Sequence, residues 1–242
     1  MAYEPIHSAA RNADVDALRK LLGEGVSPNL AESNGLRPLH HLCEKRESDA
    51  DNRITCLNIL VDAGADINAE TTRSSTPLSL AASFGHPKLV VALVNAGANV
   101  NCPSSTGWTP LHWACWRDDS SVECVELLLN AGAAVNAGLR THGWTSLDLA
   151  IIKGNQERIY PTLLRAGATL SEETALRPGP SGSTLAGRPS SYLRKVHAAG
   201  GIKKYERAHL NAIAATFIPK LPLLPPEMIR RVVEYAFHVG DY

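Results

Sequence analysis

The sequence predicts an all-α repeat solenoid of about five stacked helix-loop-helix units, followed by a small C-terminal helical module. Two phrases predict the repeats. The first reads Leu60-Val-Asp-Ala-Gly64-Ala-Asp-Ile-Asn68, then Leu93-Val-Asn-Ala-Gly97-Ala-Asn-Val-Asn101, then Leu128-Leu-Asn-Ala-Gly132-Ala-Ala-Val-Asn136. Weaker copies stand at Leu21 to Asn29 and Leu163 to Ser171. The second phrase precedes each copy: Pro38-Leu-His40, Pro77-Leu-Ser79 and Pro110-Leu-His112, with Pro5-Ile-His7 and Ser146-Leu-Asp148 at the ends. From Gly25 the equivalent glycines fall 39, 33, 35 and 35 residues later, at Gly64, Gly97, Gly132 and Gly167. Such a period marks units whose apolar faces are buried only by stacking on neighbours.

The elements follow in order. Repeat one begins at Pro5 and offers the polar Arg11, Asn12 and Asp14, as suits a terminal cap. Repeat two begins at Pro38 and is long by about six residues, an excess placed at Glu44-Lys-Arg-Glu-Ser-Asp-Ala-Asp-Asn52 as a charged, solvated loop between its helices. Repeat three begins at Pro77. In repeat four, Thr109 can cap a helix whose first turn accepts Pro110, because proline has no amide hydrogen to lose there. Leu111 and Ala114 then share one face. A second helix near Ser121 to Asn130 carries Val122, Val125, Leu128 and Leu129 at helical spacing, and Gly132 lies just past its end, where a left-handed cap is wanted. Repeat five has Thr145 as its cap, with Ser146 and Asp148 in place of Pro and His.

Gly107-Trp-Thr-Pro-Leu-His112 and Gly143-Trp-Thr-Ser-Leu-Asp148 resemble the signature of ankyrin repeats. The resemblance covers roughly residues 4 to 174 and implies helix pairs joined by projecting hairpin loops. Residues 1–174 are read as the repeat domain, 175–191 as a flexible linker rich in Pro, Gly and Ser, and 192–242 as the helical module. In the family, ligands lie along the concave groove of first helices and hairpin tips, which implies a protein partner. By register the groove positions are Arg11 and Asn12, Glu44 and Lys45, Ser83 and Phe84, Trp116 and Arg117, and Ile152 and Lys153. The strip Phe84, Trp116, Arg117 and Ile152 is rich in the residue types that anchor interfaces, and Trp116, expected to be exposed, is its sharpest member, with packing over the adjacent repeat as the alternative. Trp108 and Trp144 fall in a slot near the hairpin and suit packing between repeats, while Trp113 takes a leucine slot and is expected in the core. The family's hairpin asparagines can also be hydroxylated; Asn68, Asn101 and Asn136 match that position, and bridging of turn backbone groups is the structural alternative.

Composition narrows the function. No cationic, apolar leader and no apolar run near 18 residues is visible, so the chain reads as intracellular, cytoplasmic or nuclear, with no membrane partner. Five cysteines without a close C-x-x-C pair suggest reduced thiols. His40/Cys43 and His112/Cys115 have ligand-like spacing, but each pair occupies the same slots of separate repeats, which favours packing over zinc. There is no Gly-rich phosphate loop and no G-x-S-x-G elbow, so no enzyme, catalytic residue, metal or cofactor is expected. The zero net charge hides a split: residues 1–174 carry 14 Lys/Arg and 20 Asp/Glu, a charge of −6, and residues 175–242 carry 10 and 4, a charge of +6. Aromatic interleaving in the basic stretch Arg194 to Arg207 is thin, which argues against nucleic acid.

In the tail, Ile202, Tyr205, Leu210, Ile213 and Phe217 predict a helix with one apolar face, and Pro225 and Pro226 can open a last helix carrying Met228, Ile229, Val232, Val233, Ala236 and Phe237. This tail resembles a SOCS box, which links ankyrin repeats to a cullin ubiquitin ligase. Leu210 would match the leucine that leads the elongin-binding helix, and Leu221-Pro222-Leu-Leu224-Pro225 the cullin-binding motif. Ala214 stands where that family has Cys, and the gap between the motifs is shorter than the family's. The segment from Leu224 also resembles the start of an F-box, and a helical cap on repeat five is the third reading.

Overall fold

The structure is a computed structural model; it describes residues 5–44, 50–116, 122–153, 157–170, 191–217 and Glu227. Lys45, Arg117, Leu221, Pro222, Leu224, Pro225, nearly all of the linker and the expected last helix beyond Glu227 lie outside the described residues. Among the described residues there are twelve helices and no strand. The repeats pair α1 (Pro5–Asn12) with α2 (Val15–Gly23), α3 (Pro38–Cys43) with α4 (Ala50–Asp62), α5 (Pro77–Phe84) with α6 (Pro87–Asn95), and α7 (Pro110–Trp116) with α8 (Val122–Asn130). The fifth pairs α9 (Ser146–Lys153) with a 3-10 turn (Glu157–Ile159) and α10 (Tyr160–Arg165). The chain divides between Thr169 and Leu170 into two compact units.

Local chemistry starts these helices. Pro38, Pro77 and Pro110 stand at the first helical positions, where their missing N–H costs nothing. At α5 the Ser79 N–H donates to Thr76 Oγ1 (3.2 Å) and the Thr76 N–H to Ser79 Oγ (3.0 Å), a reciprocal cap that satisfies two otherwise orphaned donors. In α2, Asp14 accepts from the Ala17 N–H at 3.0 Å.

The first helices α1, α3, α5, α7 and α9 pack in succession, and the second helices α2, α4, α6, α8 and α10 form a parallel layer. Leu39, Leu78, Leu111 and Leu147 fill the first layer, and Leu57, Leu60, Leu89, Leu93, Val125, Leu128 and Leu163 the second, each 2% exposed or less. Small buried pairs, Ala9/Ala10, Ala81/Ala82 and Ala114/Cys115, let first helices approach closely. Fully burying one such leucine contributes about 1.5–3 kcal/mol.

Three expectations change. Trp113 is half-buried rather than core, because its ring lies against Trp108 with centroids 4.4 Å apart instead of entering the stack. Trp116 is half-buried rather than exposed, since Trp108 meets it edge-on at 5.7 Å and Lys153 covers its ring. The insert of repeat two ends before Asn52: Ala50–Asn52 belong to the first turn of α4, where Asp51 offsets the positive helix end.

The second unit contains α11 (Ser191–Ala198) and α12 (Ile202–Phe217), joined through Gly200 and Gly201 at φ 78° and 111°. Leu193 and Val196 are fully buried, and Tyr192 meets Tyr205 edge-on at 5.5 Å.

Candidate protein-binding surface

One side-chain slot near the start of each first helix ties local backbone together, and in repeats one, two and four its histidine reaches a carbonyl of the following hairpin. In repeat four, His112 Nδ1 accepts from the Thr109 N–H (3.1 Å) and hydroxyl (2.8 Å), and Nε2–H donates to Ala137 O (3.0 Å). In repeat two, His40 Nδ1 accepts from the Arg37 N–H (3.1 Å), while Nε2–H faces Ala69 O (3.0 Å) and Ser75 O (3.1 Å). Burial of the His40 ring lowers its pKa to about 4, and burial lowers that of His112 as well, so both are neutral imidazoles. His7 likewise donates to Leu30 O at 2.7 Å. Asp148 takes the slot in repeat five, accepting from the Thr145 N–H (3.0 Å) and hydroxyl (2.9 Å). The neighbouring thiols are inert: burial pushes Cys43 up to about 12 and raises Cys115 as well. Imidazole nitrogens held by backbone and thiols held neutral supply packing, and no metal-ligand group exists among the described residues.

The hairpin asparagines join one repeat to the next. Asn29 Oδ1 accepts from the Asp66 N–H (2.8 Å), Asn68 Oδ1 from the Asn99 N–H (2.7 Å), Asn101 Oδ1 from the Ala134 N–H (2.7 Å) and Asn136 Oδ1 from the Thr169 N–H (2.8 Å). Asn29, Asn101 and Asn136 also donate to Gly64 O, Gly132 O and Gly167 O at 2.8, 3.0 and 2.9 Å. The tips are linked as well: the Thr72 N–H donates to Asn34 O (2.9 Å) and the Arg140 N–H to Thr106 O (3.2 Å).

On this frame the expected groove residues fall as follows. Glu44 is half-buried; its Oε2 lies 3.0 Å from His41 Nδ1, and that hydrogen bond lowers the carboxyl's pKa. Phe84 is half-buried and stacks near His86, with centroids 6.3 Å apart. Ile152 is half-buried at the end of α9. Lys153 places its ammonium 4.6 Å from the Trp116 ring centre, a cation–π contact between successive repeats. Trp108, Trp113 and Trp116 therefore form one cluster with Lys153 at its edge. Sequence reasoning missed Arg73 and the part of Trp113. Both line a cavity of about 460 Å3 with Trp108, Leu80 and six hydroxyl residues. The available signal was three tryptophans within nine residues, Trp108 to Trp116, two of them read separately as packing and core.

A family model described as ankyrin repeats matches three copies here, over residues 48–138 and 78–173. The chain belongs to the ankyrin-repeat family. Ankyrin repeats are a protein-interaction module, and the hairpins and paired helices above are their working parts. The ankyrin repeat and SOCS box protein 3 of Bos taurus is 36% identical over 163 residues, covering 66% of this chain and 29% of that protein. The human ankyrin repeat and SOCS box protein 3 is 38% identical over 88 residues, 35% of this chain and 16% of that protein. The mouse ankyrin repeat domain-containing protein 53 is 33% identical over 84 residues, 34% of this chain and 16% of that protein. The chain thus spans less than a third of each of these relatives. Among the described residues no helix is long and apolar enough to cross a membrane.

Proposed function

We propose that this chain binds a protein partner through the groove side of repeats three to five, with Phe84, Trp116, Ile152 and Lys153 as contact residues and Glu44 extending the surface into repeat two. The observation that carries the reading is the cluster of Trp108, Trp113 and Trp116 bordered by Lys153. Half-buried tryptophans beside a cation hold a large, rigid contact area at low entropic cost, the usual composition of an interface centre. By sequence register, Lys45 and Arg117 belong to the same face.

A second reading is a substrate-recognition adaptor of a cullin-type ubiquitin ligase. Relatives that are ankyrin repeat and SOCS box proteins support it; in this reading Leu210, half-buried on α12, would be the leucine that contacts elongin. Leu221, Pro222, Leu224 and Pro225 would supply the cullin contact. Affinity purification with mass spectrometry tests both readings, using the full chain, Trp116→Ala and a chain ending at Glu173. A partner lost with Trp116→Ala supports the groove. Elongin and cullin lost on truncation, while the Trp116-dependent partner stays, support the adaptor. An unchanged set of partners after truncation leaves the chain a plain interaction module.

A further inference from the structure

We propose that the cavity between repeats three and four takes an acidic peptide segment of the protein partner, one Asp or Glu carboxylate meeting Arg73 while a neighbouring apolar side chain lies on Trp108 and Trp113. The proposal rests on the groove reading above and adds the partner's chemistry. Of the ten residues lining the cavity, Arg73 alone is charged; six carry hydroxyls and two are tryptophans. Arg73 is exposed, and no carboxylate among the described residues pairs with it. Arg140 adds a second exposed cation: its backbone N–H donates to Thr106 O at the cavity wall. The half-buried Lys153 adds a third cation, over Trp116, which itself touches the wall residue Trp108.

This cationic strip runs against the charge of its surroundings, since residues 1–174 carry −6 overall. Among the described residues of repeats two to four, none of the exposed carboxylates lines the cavity. Asp51 and Asp62 are on α4, and Glu123 and Glu126 on α8, all in the second-helix layer. Asp66 pairs with Arg37 at 3.3 Å, and Glu70 accepts from the Cys102 thiol at 3.8 Å. A guanidinium satisfies a carboxylate through charge-assisted hydrogen bonds, and the flanking indole faces cover an aliphatic or aromatic neighbour. A basic segment would leave Arg73 facing a like charge, and a purely apolar one would cover it without a counter-charge.

The test selects a random dodecapeptide display library on the immobilised full chain, then measures the enriched peptides, synthesised with a fluorophore, by polarisation. The expected peptides are net acidic with a Trp, Phe or Leu beside the acid, and salt weakens them. Arg73→Glu should weaken them by about tenfold or more, Arg73→Lys by about threefold or less, and Lys88→Glu, an equal charge change on α6, by less than about twofold. Ser105→Trp, which puts bulk on an exposed cavity-lining position, should abolish binding. Neutral or basic peptides that Ser105→Trp blocks would overturn the acidic chemistry and leave the groove reading standing. Acidic peptides indifferent to Arg73→Glu and to Ser105→Trp would place binding outside the cavity and overturn this proposal, and their response to Trp116→Ala would then test the groove reading. Failure to enrich any peptide overturns the claim that the cavity takes a linear segment.

Discussion

His40 shows how one neutral ring sets a local stability profile. Its Nδ1 accepts from Arg37 and its Nε2–H serves two hairpin carbonyls, so only the uncharged tautomer fits. The folded pKa of about 4 lies below the ordinary 6.5, so below pH 6.5 the unfolded chain takes up a proton that the folded chain refuses. The stabilisation is complete above pH 6.5 and is lost progressively toward pH 4, a change of roughly 3 kcal/mol. Urea midpoints measured from pH 7 to 4 should fall steeply in the native chain and less in His40→Gln; equal slopes would refute the assignment. Burial also decides thiol chemistry. Cys43, Cys56, Cys115 and Cys124 are buried and Cys102 is half-exposed, so native labelling with N-ethylmaleimide at pH 7.5 should modify Cys102 first, read by peptide mass spectrometry. Trp116 touches Trp108 and Lys153, so Trp116→Ala should cost about 1–2 kcal/mol of stability. It should weaken partner binding by about 2 kcal/mol with an unchanged circular dichroism spectrum.

The hairpin is the element on which both stacking and recognition depend, and its glycines separate two kinds of constraint. Gly97 and Gly107 share a left-handed backbone, φ 91° and 90°. A Cβ on Gly97 meets nothing within 4 Å, whereas one on Gly107 would stand 2.9 Å from the Arg140 backbone nitrogen. Gly97→Ala should therefore cost about 1–2 kcal/mol from conformation alone. Gly107→Ala should add about 1–3 kcal/mol as the fourth hairpin is pushed away. Denaturant midpoints of the two variants measure the difference, and equal losses would show that the tips are not closely joined. Asn101→Ala removes a bridge with two bonds, to Ala134 N–H and Gly132 O, and should cost about 1–3 kcal/mol by the same measurement.

At the level of the molecule, the repeat number, the helix order and the packing rather than metal-binding use of the histidine slot can all be read from the sequence. Each depends on short-range spacing repeated five times, from Pro5-Ile-His7 to Ser146-Leu-Asp148. The tryptophan cluster was not readable in the same way. Whether Trp113 enters the stack or turns onto Trp108 depends on competition between two packing sites, and no periodicity reports that competition. Arg73 escaped notice because a hairpin-tip cation becomes a wall only when the next repeat's indoles stand opposite it. The joins between tips, Thr72 to Asn34 and Arg140 to Thr106, run through main-chain groups. Every amino acid except proline carries the N–H donor they need. The side chains at the rim are consequently at liberty to drift, and heredity can rewrite what this surface recognises without renegotiating how its repeats hold together.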